Sequence, residues 1–308
     1  MLSFKSLLEP DLLVDPLEMA RKLRLSFLLG TMVPRPYHCQ VNKQVYEYEG
    51  HKAEAYWINH HAGKEQRNTD QIVIYLHGGA YVRGDINGFS GLECHLSRLF
   101  NMSLLHLEYR LVPEHPLPAA VDDTLALYRA LLHDGISSSR LIIMGDSAGG
   151  GLTLLTVQAL LDRHLPIPRA VITMSPWTDL SLSGESYKRN RLTDVMLRLE
   201  YISWSVERAL GPNHAQLVRY SSFHSPLFGS FQGFPPMYIT VGTAELLEDD
   251  SRQVADKAQN AGVDVTLEVG LYMMHVHPIF FSFCPEARNT LDNIRQWVEA
   301  KFQGEINT

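Results

Sequence analysis

The sequence predicts an α/β protein: a mostly parallel sheet of eight strands with helices on both faces. Three observations carry that reading. Short, largely apolar runs recur at residues 71–76, 103–108, 141–144, 170–174, 237–241 and 265–269, as strands buried on both faces do. Helical spacing separates them, most clearly at residues 119–132 and in the series Leu152, Leu155, Thr156, Ala159, Leu160. Strand–helix alternation of this kind implies parallel pairing through crossover helices. Finally, the run 141–144 stops at Gly145-Asp146-Ser147-Ala148-Gly149. A serine at a very sharp strand-to-helix turn needs small neighbours two residues away on each side.

Taken in order, residues 1–40 read as helix and loop. Leu17, Ala20, Leu23, Phe27 and Leu28 share one helical face, and Arg21, Lys22 and Arg24 form a solvated opposite one. Residues 44–59 read as a hairpin turning at Glu49-Gly50-His51-Lys52. His60-His61 opens a polar loop that ends near Asp70, with no third ligand at metal spacing. Between Trp177 and Phe234 the strand pattern lapses. Asp194 is placed there to cap a helix carrying Val195, Leu199, Ile202, Val206 and Ala209, ended by Gly211-Pro212-Asn213. The expected organisation is a core of residues 41–176 and 235–308, with residues 177–234 inserted as a helical cap to which residues 1–40 contribute.

A chain of 308 residues can bury one large core. Its net charge of −7, without a basic cluster, argues against a nucleic-acid partner. Cys39, Cys94 and Cys284 are odd in number, widely spaced and lack zinc spacing. They are expected as reduced thiols rather than as a disulfide framework. The N-terminus reaches Glu9, Asp11 and Asp15 without a basic-then-apolar signal, and residues 25–33 are too few to span a bilayer. The expected setting is cytoplasmic, without stable membrane insertion; a homodimer is compatible with the sequence.

Three loops supply the parts of a nucleophilic site. Ser147 is the candidate nucleophile, and the turn that lifts it presents the Ala148 amide at a helix N-terminus. His77-Gly78-Gly79-Ala80 follows a strand, and adjacent glycines let amides point into a cleft. Gly78, Gly79 and Ala148 are therefore the expected oxyanion donors. A serine hydroxyl needs a base, and His275 and His277 both follow the last apolar run. His-x-His also raises metal binding, but further ligands have no obvious source. Glu245, Glu248, Asp249 and Asp250 follow the penultimate run and supply the acid. Glu245 comes first after it. Asp249 and Asp250 stand where an acidic residue caps the next helix, and Glu248 is expected at solvent.

His77-Gly78-Gly79-Ala80, Tyr109-Arg110-Leu111-Val112-Pro113-Glu114-His115-Pro116, Gly145-Asp146-Ser147-Ala148-Gly149-Gly150 and the late His275 together resemble the hormone-sensitive-lipase-like family of α/β-hydrolases, from about residue 72 to 297. The resemblance implies an α/β-hydrolase fold with a helical cap. It implies Ser147 as nucleophile, His275 as base and Gly78, Gly79 and Ala148 as oxyanion donors; Glu245, standing where many relatives have Asp, is the expected acid, with Asp249 the alternative. Many also have a third glycine where Ala80 stands. The implied activity is hydrolysis of small-molecule, short-chain acyl esters through an acyl-enzyme, with no cofactor and no metal. Lactone or amide hydrolysis on the same residues is the alternative. A non-catalytic receptor of this fold, like the plant gibberellin receptors, would have lost the histidine.

Overall fold

The strands assemble in the order β1-β2-β4-β3-β5-β6-β7-β8. They are β1 (Cys39–Tyr48), β2 (His51–His60), β3 (Ile72–Leu76), β4 (Ser103–Glu108), β5 (Leu141–Asp146), β6 (Ala170–Met174), β7 (Met237–Gly242) and β8 (Val265–Gly270). The computed structural model describes residues 15–29, 33–60, 71–211 and 221–302, without the side chains of 26–29, 59 and 60. β1 and β2 form the expected hairpin, β2 pairs antiparallel with β4, and every later pairing is parallel. The expectations for Phe27, Leu28, His60-His61 and its loop, Pro212-Asn213 and the acidic N-terminus before Asp15 lie outside the described side chains or residues.

Burial on both faces explains the apolar runs. Odd and even residues of one strand enter different cores: Ile72, Ile74 and Leu76 face one, Val73 and Tyr75 the other. The first core is covered by α3 (Ala119–His133), α4 (Ala148–Asp162) and α7 (Glu248–Asn260), the second by α2 (Ile86–Phe100) and α8 (Pro285–Phe302). From β3 the chain passes through α2 to β4 on one side, then through α3 back to β5 on the other. The winding thus reverses between β3 and β5, and a crevice opens beyond their carboxyl ends, where ligands of open α/β sheets collect.

Two stretches lie outside this alternation. α1 (Pro16–Leu29) buries Met19, Ala20 and Leu23. Arg24, expected in a solvated face, instead donates to Val82 O and Val112 O and pairs with Glu114 at 2.8 Å. Between β6 and β7 the described residues form α5 (Ser186–Arg189), α6 (Leu199–Leu210) and no strand. α6 starts at Leu199, not directly after Asp194, because Asp194 is otherwise engaged. One oxygen accepts from the Met196 and Leu197 amides, the other from the Leu246 amide across the fold.

The expectation of reduced cysteines is overturned. Cys39 and Cys94 form a disulfide that joins the edge strand β1 to α2, and Cys284 is free. No helix among the described residues is long and apolar enough to cross a membrane.

Candidate active site

Ser147 stands between β5 and α4 at φ 52° and ψ −120°, a conformation that side chains rarely adopt. The surrounding backbone is close. A Cβ on Gly145 would meet Gly149 O at 2.3 Å, and one on Gly149 would meet Leu76 O at 1.9 Å. The turn is pinned by its own amides: Ser147 N–H donates to Met174 O at 2.8 Å, and Trp177 N–H donates to Ser147 O at 2.9 Å.

His275 reaches this serine from the loop after β8, and Glu245 from the loop after β7. Ser147 Oγ lies 3.0 Å from His275 Nε2, and Glu245 Oε2 lies 2.5 Å from Nδ1. A carboxylate only accepts, so the ring proton sits on Nδ1 and Nε2 offers its lone pair to the serine hydroxyl. All three residues are buried. Burial by itself would lower the basicity of His275. The charge of Glu245, with Asp194 and Asp146 behind it, outweighs burial and holds its pKa above the ordinary value.

The other candidates are placed elsewhere. His277 Nε2 lies 3.2 Å from Thr290 Oγ1, and burial depresses its pKa. Asp249 accepts from Ser186 N–H and Arg189. Asp250 accepts from the Thr178 and Asp179 amides and from the Tyr187 hydroxyl. Neither caps its own helix, because the first turn of α7 packs against residues 178–189 and spends its carboxylates there. Glu248, expected at solvent, is buried for the same reason and pairs with Arg189 and Arg252.

The oxyanion loop needs one correction. Gly78 N–H donates to Asp146 Oδ1 at 2.9 Å, where the Tyr75 hydroxyl also donates, so that amide is committed away from the cleft. Gly79 and Ala80, at φ 116° and 57°, turn the chain into the cavity beside Ser147. Ala80 thus occupies a left-handed position that glycine fits more easily. His77 supports the loop from beneath: its Nδ1 donates to Gly78 O at 2.7 Å, and burial together with nearby His106 pushes its pKa down to about 4. His77, His106 and Glu108 converge as a group that could hold a metal ion. Burial opposes charge on His106, but Glu93 and Glu108 outweigh it and push its pKa up to about 10.

A cavity of about 110 Å³ adjoins Ser147 and His275, walled mainly by Phe89, Leu92, Met196, Tyr201, Ile202 and Ile279. Its walls come from α2, from the 177–234 segment and from the loop after β8. Val33, near the N-terminus, also contributes.

A doubly wound sheet with a serine elbow facing a histidine–carboxylate pair defines an α/β-hydrolase. The family profile described as alpha/beta hydrolase fold matches residues 73–279, and the chain belongs to this family, among its hormone-sensitive-lipase-like members. An acetyl-hydrolase of Streptomyces hygroscopicus is 36% identical over 73% of this chain and 74% of its own length. An esterase of Acinetobacter venetianus is 33% identical over 76% of each. A solved esterase of the bacterial hormone-sensitive lipase family superposes with a TM-score of 0.83 at 32% identity, covering 95% of this chain and 93% of that one. The protein is a carboxylic-ester hydrolase.

Proposed function

We propose that the protein cleaves short-chain acyl esters through a covalent acyl-enzyme. One observation carries this reading: the hydrogen-bonded chain Glu245–His275–Ser147 opens directly onto a small apolar cavity. Ser147 Oγ attacks the ester carbonyl carbon while His275 Nε2 takes its proton. The carbonyl oxygen becomes an oxyanion held by the amides of Gly79, Ala80 and Ala148. Each such donor typically contributes about 3 kcal/mol of transition-state stabilisation. Collapse breaks the bond to the alcohol, which leaves with the proton from His275. Water then attacks the acyl carbon, with His275 again as base, and the carboxylic acid departs as Ser147 recovers its proton. Glu245 holds the imidazole tautomer and stabilises the imidazolium in both halves.

The described parts of residues 1–40 and 177–234 act as the cap over the acyl site, since Val33, Met196, Leu197, Tyr201 and Ile202 line the cavity. The apolar walls support binding of an acyl chain, since binding there follows buried apolar area, and the family resemblance supports short chains of about two to eight carbons. The test is a series of p-nitrophenyl esters from acetate to palmitate, run beside Ser147→Ala. The expected result is a maximum at short chains. Ser147→Ala is expected to lose about 10⁴-fold or more in rate with an unchanged circular dichroism spectrum. A folded Ser147→Ala variant within about tenfold of wild type overturns the mechanism. Faster turnover of long-chain emulsions than of p-nitrophenyl butyrate overturns the chain-length assignment.

A further inference from the structure

Glu245 has two carboxylate oxygens, and only one faces His275. The other, Oε1, accepts from the Ser175 hydroxyl at 2.7 Å and from the Gly242 amide at 2.6 Å. Ser175 Oγ accepts in turn from the Val276 amide at 3.0 Å, and Val276 directly follows His275. A single hydroxyl therefore grips the acid and the backbone that carries the base. Ser175 lies just past β6, is fully buried, and donates its own amide to Thr240 O on β7 at 2.7 Å. Its φ is +49°, in the region that disfavours side chains and suits glycine. The backbone alone would be better served by glycine; the hydroxyl is what a serine adds.

We propose that Ser175 is a positioning residue for the Glu245–His275 pair, its hydroxyl pinning Oε1 so that Oε2 stays on Nδ1. The inference rests on the assignment of Ser147, His275 and Glu245 made above. Its physical basis is the length of glutamate. Compared with aspartate, Glu245 has one more rotatable bond, so its carboxylate has more ways to leave the imidazole. A pin on the distal oxygen removes that freedom. The link to the Val276 amide applies the same constraint to His275, whose neighbour Val276 is itself left-handed at φ +52°. Ser175 moves no proton in the reaction; it donates one hydrogen bond and accepts another.

The experiment compares Ser175→Ala and Ser175→Gly with wild type, and repeats Ser175→Ala in a Glu245→Gln background. Both single variants are expected to lose about 10- to 100-fold in kcat, since a buried carboxylate oxygen loses a donor. KM should stay within about twofold, because no substrate contact is touched. The acid limb of kcat/KM should move to lower pH, since a carboxylate that leaves Nδ1 raises the His275 pKa less. Ser175→Gly, which suits the backbone, should lose as much activity as Ser175→Ala while unfolding at a temperature no lower than that variant. In Glu245→Gln, adding Ser175→Ala should cost no more than about threefold further, because residues acting through one another are not additive. Wild-type kcat and pH profile in Ser175→Gly overturn the proposal, as does an undiminished loss in the Glu245→Gln background. Near-wild-type activity of Glu245→Gln alone would instead overturn the assignment of the acid.

Discussion

His275 can take the Ser147 proton only while Nε2 is unprotonated. Its pKa is raised because Glu245, Asp194 and Asp146 outweigh the effect of burial. A raised pKa keeps the ring cationic, and inactive as a base, to higher pH. The activity should therefore fall on the acid side with a midpoint above the ordinary value of about 6.5. Measuring kcat/KM for p-nitrophenyl butyrate from pH 5 to 9 at constant ionic strength checks this, and a profile flat to about pH 5 contradicts it. At this scale much was legible. Ser147, Glu245 and His275 each occupy a loop just beyond a strand, and the sheet brings those ends together. Gly78 was not legible as a committed amide. Which amide of a glycine-rich loop faces the cleft depends on the φ values of Gly79 and Ala80 and on Asp146, a residue 68 positions away that accepts from Gly78.

Among the elements, the stretch from Asp194 to α6 binds the inserted segment to the acid loop. Asp194 is buried, which raises its own pKa, and its two oxygens hold the Met196, Leu197 and Leu246 amides. Leu246 follows Glu245, while Met196 and Leu197 line the cavity. Asp194→Asn keeps one acceptor oxygen and loses the charge. It should lower stability by about 1–3 kcal/mol through the amide left without an acceptor. It should also shift the acid limb of kcat/KM to lower pH, because one of the charges that raise the His275 pKa is gone. Denaturant unfolding and the pH profile test the two effects separately; an unshifted acid limb counts against electrostatic coupling. The apolar spacing of α6 was readable from Leu199, Ile202, Val206 and Ala209. Its starting residue was not, because Asp194 makes equally good hydrogen bonds to a turn and a distant loop as to a helix of its own.

Across the whole molecule, the Cys39–Cys94 disulfide ties the antiparallel edge hairpin to α2, whose residues Phe89 and Leu92 line the cavity. Its partners are 55 residues apart in sequence. Closing a loop of that size removes unfolded-state entropy worth about 4 kcal/mol. Denatured but unreduced protein should titrate one thiol, Cys284, and reduced protein three. Cys39→Ser should lower unfolding free energy by about 2–4 kcal/mol while leaving the Ser147–His275 contact in place. Three titratable thiols before reduction would contradict the pairing. Cysteine spacing could not reveal this bond, because it depends on β1 and α2 lying against each other.

By itself the sequence determined what is local or periodic: the buried strands, the helices at residues 119–132 and after Ser147, and the serine elbow with its flanking glycines. It also determined the chain order of serine, acid and histidine. These follow from steric limits and burial patterns that act over a few residues. Tertiary structure decided what depends on which loops meet at the sheet edge. It separated His275 from His277 by giving one to Glu245 and the other to Thr290. It spent Asp249 and Asp250 on the loop after β6, turned Gly78 to Asp146, and set Ser175 behind Glu245. A buried polar group takes whichever partner the fold brings within reach, and that partner is rarely its neighbour in sequence.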